Sequence, residues 1–149
     1  MSITDRPKLA YRHVLALTGT LFLSYLAVAM SLPVVPIYVV NGDHLSNAYG
    51  GLAVGIAFLS TIVTRGHAGM SADRLGGKIC MQRGLILYAA AGLICLLAGL
   101  PQWPVAVGYA VLIVGRLLLG LGESLAMVGM VSWAIGLMGR ARSGEVMLL

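Results

Sequence analysis

Charged residues are scarce in this sequence. Lysine, arginine, aspartate and glutamate make up 10% of its 149 residues, whereas hydrophobic residues make up 59%. Soluble domains carry roughly 25% charged residues. With so few charges, a folded chain of this length could not cover its surface in water. The composition therefore excludes a soluble globular domain and predicts an integral membrane protein, for which lipid is the solvent.

Residues that would support catalysis or metal binding are also few. The two cysteines, Cys80 and Cys95, are too few for a disulfide framework and are predicted to be reduced packing residues. His44 and His67 have no paired ligands nearby in the sequence. No nucleophile–base pair, metal-ligand spacing or phosphate-binding loop is present. We therefore expect neither an enzyme nor a protein that holds a metal or another cofactor.

The basic residues outnumber the acidic ones, which gives a net charge of +5. In a soluble protein such an excess would raise the question of nucleic acid. Here the basic residues form no patch interleaved with aromatics, and they lie at the ends of apolar segments. Nucleic acid is therefore not an expected partner, and the charges carry information about membrane topology instead.

Apolar stretches divide the chain into four predicted transmembrane helices. The stretch from Leu45 to Thr64 has 20 residues, about 30 Å as a helix, which matches the hydrocarbon core of a bilayer. Membrane β-strands are much shorter, at about 9–11 residues, and alternate in polarity. The predicted fold class is therefore all-α. The predicted spans are residues 14–40, 46–66, 80–100 and 105–138, with loops at 67–79 and 139–149.

The positions of the basic residues predict the orientation. Nine of the ten lysines and arginines fall on one side of the predicted spans, and the positive-inside rule makes that side cytoplasmic. Both termini and the loops 67–79 and 139–149 are then cytoplasmic, and the expected location is a bacterial inner membrane. Arg116 is the one basic residue that breaks the pattern.

The glycines are expected to serve helix packing. There are twenty of them, and they are scattered through the apolar runs without an evident period. Small residues let transmembrane helices approach closely. Gly51 with Gly55, and Gly122 with Ala126, are interpreted as helix-packing pairs because each pair has the four-residue spacing of such motifs.

The segment Gly69-Met-Ser-Ala-Asp73-Arg74-Leu-Gly76-Gly77-Lys78 resembles the cytoplasmic signature of the major facilitator superfamily. It departs from that signature at Gly77, where the family often has a basic residue. Glycines permit tight backbone turns and close approaches, and Asp73 is expected to accept backbone N–H bonds or to face a helix N-terminus. The resemblance implies a conformational gate loop formed by Gly69, Asp73, Arg74, Gly76 and Lys78.

A second segment, Arg116-Leu-Leu-Leu-Gly120-Leu-Gly122-Glu123-Ser124, resembles the other signature of the superfamily, an intramembrane arginine followed by small residues. Pro33 and Pro36 in the first span are expected to kink it. Together these features are similar to a poorly characterised, efflux-type bacterial branch of the superfamily, and the resemblance covers essentially the whole chain.

The resemblance carries several implications. The superfamily has twelve spans in two six-helix halves with the pathway between them, so four spans correspond to part of the N-terminal half. The chain is then expected to be a fragment of a secondary transporter, which implies proton-coupled export of a small molecule. The implied partners are the lipid bilayer, the substrate, protons and the missing C-terminal helices, without which the fragment is expected to be inactive.

Arg116 and Glu123 are the candidate pathway residues. Arg116 lies 12 residues beyond Pro104, about 18 Å along a helix. That distance places it near the middle of the bilayer, where a charge costs about 2.5–3.5 kcal/mol on insertion scales. Glu123 follows two helical turns later and shares nearly the same face. The pair either lines a polar pathway or fixes helix packing through buried hydrogen bonds. In the family, the matching arginine is associated with proton coupling.

Two other functions are compatible with four spans. Small dimeric multidrug exporters have this size, but they carry a membrane-embedded glutamate on their first span, and the first span here has no acidic residue. A non-transporting membrane subunit, or the product of a truncated gene, is the other alternative.

Overall fold

The computed structural model describes residues 5–138, with side chains described over residues 15–137. This part of the chain contains four α-helices and no strand. A five-residue π-helix, Tyr38–Gly42, continues directly from the first helix. The α-helices are α1 (Asp5–Ile37), α2 (Asn47–Leu75), α3 (Gly77–Ala98) and α4 (Val105–Met138).

Each of these helices is long and apolar enough to cross a membrane, so the predicted all-α membrane fold is confirmed. The 34 residues of α4 extend over about 51 Å, well beyond the roughly 30 Å of a hydrocarbon core. Most large apolar side chains point away from the bundle and are exposed, as expected for surfaces that face lipid. The inner-membrane location and the cytoplasmic termini remain predictions.

The helix boundaries differ from the predicted spans at the α2–α3 connection. Residues 67–79, predicted as a loop, are helical except at Gly76. Helix α2 continues past the apolar stretch to Leu75, and the chain reverses at Gly76, whose φ of 84° and ψ of 149° suit only glycine. The other predicted loop, 139–149, lies outside the described residues.

Pro33 and Pro36 both lie inside α1. Neither has an N–H to donate, so the helical hydrogen bonds to the carbonyls four residues earlier are missing. The π-helix begins two residues after Pro36, and its widened turn is closed by the Asp43 N–H, which donates to the Tyr38 carbonyl at 3.2 Å. The expected kink of the helix axis at these prolines remains a prediction.

Helix α4 packs against all three other helices, and α3 is its most extensive neighbour. Glycines in α4 recur every seven residues, at Gly108, Gly115, Gly122, Gly129 and Gly136. Seven residues are close to two helical turns, so these glycines form one stripe along the helix. The expectation that the glycines have no period is therefore wrong for α4.

Four of these five glycines meet α3. A Cβ at Gly122 would lie 2.7 Å from the Tyr88 backbone nitrogen, and one at Gly129 would collide with the backbone of Met81. Gly84 on α3 returns the contact, because a Cβ there would collide with the backbone of Ala126. The predicted packing role of Gly122 and Ala126 is thus confirmed. Gly136, at the end of the stripe, has open space around its Cβ position.

The other predicted packing pair makes no close contact with the helices that the structure describes. Gly51 and Gly55 lie on α2, and a Cβ at either position would meet nothing within 4 Å. The α2 glycine that does make a close contact is Gly50, whose Cβ would lie 3.3 Å from the Cα of Pro36 on α1. Sequence spacing alone did not reveal which face of α2 turns towards its neighbours.

Candidate functional site

Arg116 is the most deeply buried charge among the described side chains, with 3% of its surface exposed. Its Nε donates a hydrogen bond to the Ala53 carbonyl oxygen of α2 at 3.0 Å. Its Nη1 donates to Ser31 Oγ of α1 at 3.2 Å. The Ser31 hydroxyl donates its own proton to the Val28 carbonyl at 2.8 Å, which leaves a lone pair for the arginine. Arg116 therefore joins three helices.

Small residues make room for this arginine. Ala53 is completely buried, and its methyl group leaves the α2 backbone accessible to the guanidinium. Arg116 can use the Ala53 carbonyl as an extra acceptor because a carbonyl oxygen has two lone pairs. A buried guanidinium is tolerated when its donors find partners, and the planar fork of arginine suits two acceptors on different helices.

Glu123 lies on α4 two helical turns after Arg116 and is half-buried. Its hydrogen-bond partner is Thr61 of α2. The distance from Thr61 Oγ1 to Glu123 Oε2 is 3.3 Å. Thr61 Oγ1 also lies 3.0 Å from the Ala57 carbonyl and 3.2 Å from the Gly120 carbonyl. A hydroxyl has one proton to donate, so these three acceptors compete for it. Thr61 is therefore a shared donor between the two helices.

Gly120 allows α2 to come this close. A Cβ at Gly120 would collide with the Ala57 carbonyl oxygen and would lie 2.8 Å from Ser60 Cβ. The close approach also brings Ser60 Oγ within 2.7 Å of the Leu117 carbonyl, to which it donates. The result is a polar seam between α2 and α4, inside an otherwise apolar bundle.

Arg116 and Glu123 do not form a salt bridge, in agreement with their two-turn separation. Tyr88 of α3 lies close enough to interact electrostatically with both. Beside Glu123, a cavity of about 20 Å³ between α1, α3 and α4 includes Ser24 and Tyr88 in its walls. A cavity of that size holds about one water molecule. The structure thus brings the two predicted pathway residues to one face without direct contact.

The predicted gate-loop residues lie around the turn between α2 and α3. Asp73, Arg74 and Lys78 are exposed, and Lys78 Nζ lies 5.7 Å from the centre of the Trp133 ring of α4. No side-chain hydrogen bond caps the N-terminus of α3, so of the two roles expected for Asp73 the acceptance of backbone N–H bonds is not observed there, and an orientation towards a helix N-terminus remains a prediction. No hydrogen bond joins these residues to Arg116 or Glu123, and their role as a gate remains a prediction.

The two glycines of that loop differ from each other. Gly76 has the positive φ that the expected backbone freedom requires. Gly69 instead lies within α2, and a Cβ there would meet nothing within 4 Å. The expected close approach at Gly69 is therefore not observed, because no other described helix lies against this face of α2.

Sequence reasoning missed the hydroxyl groups that hold the site together. Ser31, Ser60 and Thr61 supply or receive the hydrogen bonds described above, and none was predicted. A signal was available, since Ser60, Thr61 and Thr64 cluster within one apolar run. Hydroxyls in transmembrane helices often bond within their own helix, so the cluster alone did not identify α4 as the partner.

Comparison with known proteins gives a consistent assignment. An uncharacterized MFS-type transporter of Salmonella typhimurium is 38% identical over 130 residues, which are 87% of this chain and 34% of that protein. Similar transporters of Burkholderia mallei and Burkholderia pseudomallei are each 33% identical over 135 residues, 90% of this chain and 33% of theirs. The chain thus spans about a third of the length of these relatives. No solved structure matches it.

The sequence profile of the Major Facilitator Superfamily matches residues 17–149. That range includes both signature segments, the buried Arg116 and its partners on α1 and α2. The chain therefore belongs to the Major Facilitator Superfamily.

Proposed function

We propose that this chain forms the first four helices of a secondary transporter that exports a small molecule in exchange for protons. The observation that supports the proposal most strongly is the burial of Arg116, with acceptors from two other helices. A membrane-embedded charge is costly, and such residues mark substrate and ion pathways. Family membership supports the transport part of the proposal. Proton coupling is inferred from the resemblance and from the buried carboxyl group of Glu123, and export is inferred from the resemblance to an efflux-type branch alone.

Glu123 is the proposed proton carrier. Among the described residues, it is the only acidic one that lies in the middle part of a transmembrane helix. A carboxylate that takes up a proton loses its charge and becomes a hydrogen-bond donor. Proton uptake would therefore reverse the direction of the hydrogen bond between Glu123 and Thr61. The Thr61 hydroxyl would then accept a hydrogen bond from Glu123 and donate its own proton to the Gly120 carbonyl.

Arg116 is the proposed fixed charge of the pathway. Its guanidinium keeps its proton throughout, so it would not itself carry protons. It would attract the charged form of Glu123 and oppose a second cation in the same space. Loading of substrate and loading of protons would thus influence each other through the charge near α4.

The gate loop is the proposed conformational element. Gly76 concentrates the reversal between α2 and α3 in one residue, and the charges of Asp73, Arg74 and Lys78 are exposed around it. Charges at this position can pair with helices that move between two states. We propose that they do so with helices beyond the described residues.

The proposal is tested with a chimera that continues this chain with the remaining two-thirds of the Salmonella typhimurium relative. Proteoliposomes with an imposed pH gradient are screened for uptake of small organic anions, cations and neutral compounds. For any compound moved, Arg116→Ala is expected to abolish pH-driven transport at unchanged protein level. Unchanged transport by that variant would remove Arg116 from the pathway. Vesicles that contain only these 149 residues are expected to transport nothing.

Nothing in the structure favours the small dimeric exporter. Family membership and the partners of Arg116 both support the longer transporter. The first span contains no carboxylate in its apolar stretch, and such an acid would be required in the dimeric class.

A further inference from the structure

A groove of about 370 Å³ runs between α2 and the second half of α4. Arg65 of α2 lies at its edge. The hydroxyl residues Ser124 and Ser132 and the apolar residues Val128 and Val131 line it from α4. Glu123 lines the smaller cavity on another side of α4 instead. The groove is thus separate from the site around Arg116.

The charge of Arg65 is unpaired. Its side chain is exposed, and it makes no hydrogen bond or salt bridge to any residue that the structure describes. Its attraction to the Glu123 carboxylate acts without direct contact. A guanidinium offers five N–H donors in a rigid fork that matches a carboxylate. Arg65 can therefore accept an anion without giving up another partner.

Ser124 provides a second, independent observation. It is 1% exposed, and within the described part of the chain its Oγ is the one buried side-chain polar atom without a hydrogen-bond partner. A helical serine commonly donates to the carbonyl four residues earlier. At this position that carbonyl belongs to Gly120, which already lies within 3.2 Å of Thr61 Oγ1. A buried hydroxyl without a protein partner in the wall of a groove has a hydrogen bond left to offer to a polar atom that enters there.

The size of the groove and its lining point to a small molecule. Ligand sites are usually mostly apolar, with a few convergent polar groups, and have volumes of roughly 300–1,000 Å³. A cation would be repelled by Arg65, and a neutral compound would leave the guanidinium unpaired. A phospholipid with two acyl chains is larger than this groove.

We infer that the groove between α2 and α4 binds a small amphiphilic anion from solution, of the medium-chain carboxylate type. The carboxylate pairs with Arg65 and accepts from Ser124 or Ser132, while the alkyl chain lies along Val128 and Val131. The inference rests on the proposed transport function in one respect, since it names the substrate class. Binding itself needs no transport and no proton gradient, so it is tested separately.

The test measures binding of radiolabelled octanoate to the full 149-residue chain in nanodiscs of zwitterionic lipid, against empty nanodiscs. Saturable binding is expected. Loss of the guanidinium in Arg65→Gln should weaken it roughly tenfold or more, and loss of the uncharged Ser124 donor in Ser124→Ala by about two- to tenfold. Arg65→Lys, which keeps the charge but loses the fork, should bind more weakly than the parent chain and more tightly than Arg65→Gln. Arg83→Gln, which removes an exposed arginine of α3 outside the groove, should bind like the parent chain.

Competition distinguishes the occupants. Octyltrimethylammonium is expected not to displace octanoate, and its displacement of the label would overturn the anion assignment. If anionic phosphatidylglycerol in the nanodisc abolishes octanoate binding, the groove is a lipid site and the inference fails. A disulfide between two copies of a Val128→Cys variant, absent from the parent chain, would identify a second copy as the occupant and would also overturn it. Equal octanoate binding by the parent chain and by Arg65→Gln would also overturn the inference.

The two proposals fail in different ways. If octanoate binds through Arg65 but the chimera transports nothing under a pH gradient, the groove assignment survives and the transport proposal fails. If the chimera transports cations through Arg116 while octanoate does not bind, the transport proposal survives and the anion site is lost.

Discussion

Thr61 Oγ1 of α2 lies 3.3 Å from Glu123 Oε2 of α4, and the same oxygen lies 3.2 Å from the Gly120 carbonyl. One hydroxyl thus serves a side chain and the backbone of the neighbouring helix. In an apolar bundle, a buried acceptor that loses its donor is expensive to leave unpaired. The loss of this single hydroxyl group should therefore destabilise the contact between α2 and α4 substantially, although the group is small.

The first prediction concerns that hydroxyl. Thr61→Val keeps the shape and removes the donor, so it is expected to lower the free energy of unfolding by about 1–3 kcal/mol. Thermal unfolding in detergent, followed by far-ultraviolet circular dichroism, measures the change. Thr64→Val is the matched control, because Thr64 Oγ1 bonds only to carbonyls of its own helix. Equal losses in the two variants would contradict a special role of Thr61.

The second prediction concerns the acceptor of Arg116 on α1. Ser31→Ala leaves Nη1 without its partner at 3.2 Å, and the expected loss of stability is about 1–3 kcal/mol for a buried donor. Ser24→Ala is the control, since its hydroxyl donates to the Thr20 carbonyl within α1. We expect Ser24→Ala to change the midpoint little. A Ser31→Ala variant as stable as its control would argue against the arginine contact.

The third prediction concerns the glycine stripe of α4. Gly129→Ala would push a methyl group into the backbone of Met81, and such overpacking is expected to cost about 1–3 kcal/mol. Gly136→Ala has the same place in the seven-residue spacing but open space around it. It should be neutral or stabilising by up to about 1 kcal/mol, because alanine is the better helix former. The difference between the two unfolding midpoints is the measurement. Similar behaviour of both would show that the stripe does not set helix distance.

The fourth prediction concerns the turn at Gly76. An alanine there would be held at φ of 84°, a region with a cost of about 1–3 kcal/mol for residues with a Cβ. Gly69→Ala, inside α2 with no neighbour within 4 Å, is the control and should not destabilise. If Gly76→Ala unfolds at the same temperature as Gly69→Ala, the turn adjusts without strain.

The fifth prediction concerns orientation. Alkaline phosphatase folds only outside the cytoplasm of bacteria, so its activity reports the side of a fusion point. Fusion after His44 should be active, and fusion after Met138 inactive, because the basic residues favour the cytoplasmic side for the latter. The reverse pattern would invert the proposed topology.

The sequence predicted the features that depend on length and charge alone. Four long apolar runs became four helices. The depth of Arg116 in the bilayer, inferred from its distance to Pro104, remains a prediction, whereas its burial among the helices is observed. The hydrogen-bond partners of that arginine could not be predicted from the sequence, because they depend on how α1 and α2 are rotated about their axes. The same reason explains why Gly50, and not Gly51 or Gly55, makes the close contact on α2. Uniformly apolar helices have no polar face to indicate that rotation.

The seven-residue spacing in α4 is a different case. It is visible in the sequence as five glycines at intervals of seven residues. The C-terminal end of α2 could not be predicted for another reason, because an exposed helix end and a polar loop have similar amino-acid compositions. The boundary between α2 and α3 is marked only by the positive φ of Gly76, and the φ of a glycine cannot be predicted from its presence in the sequence.

The partners of Arg116 have a consequence for how the chain is made. Ser31 and Ala53 both precede Arg116 in the sequence, so a ribosome delivers them to the membrane first. When α4 enters the bilayer, the acceptors for its arginine are already there. The insertion cost of a central arginine, about 2.5–3.5 kcal/mol, can thus be offset as soon as the helix arrives. The order of synthesis thus allows α4 to insert with acceptors for its charge already in the membrane.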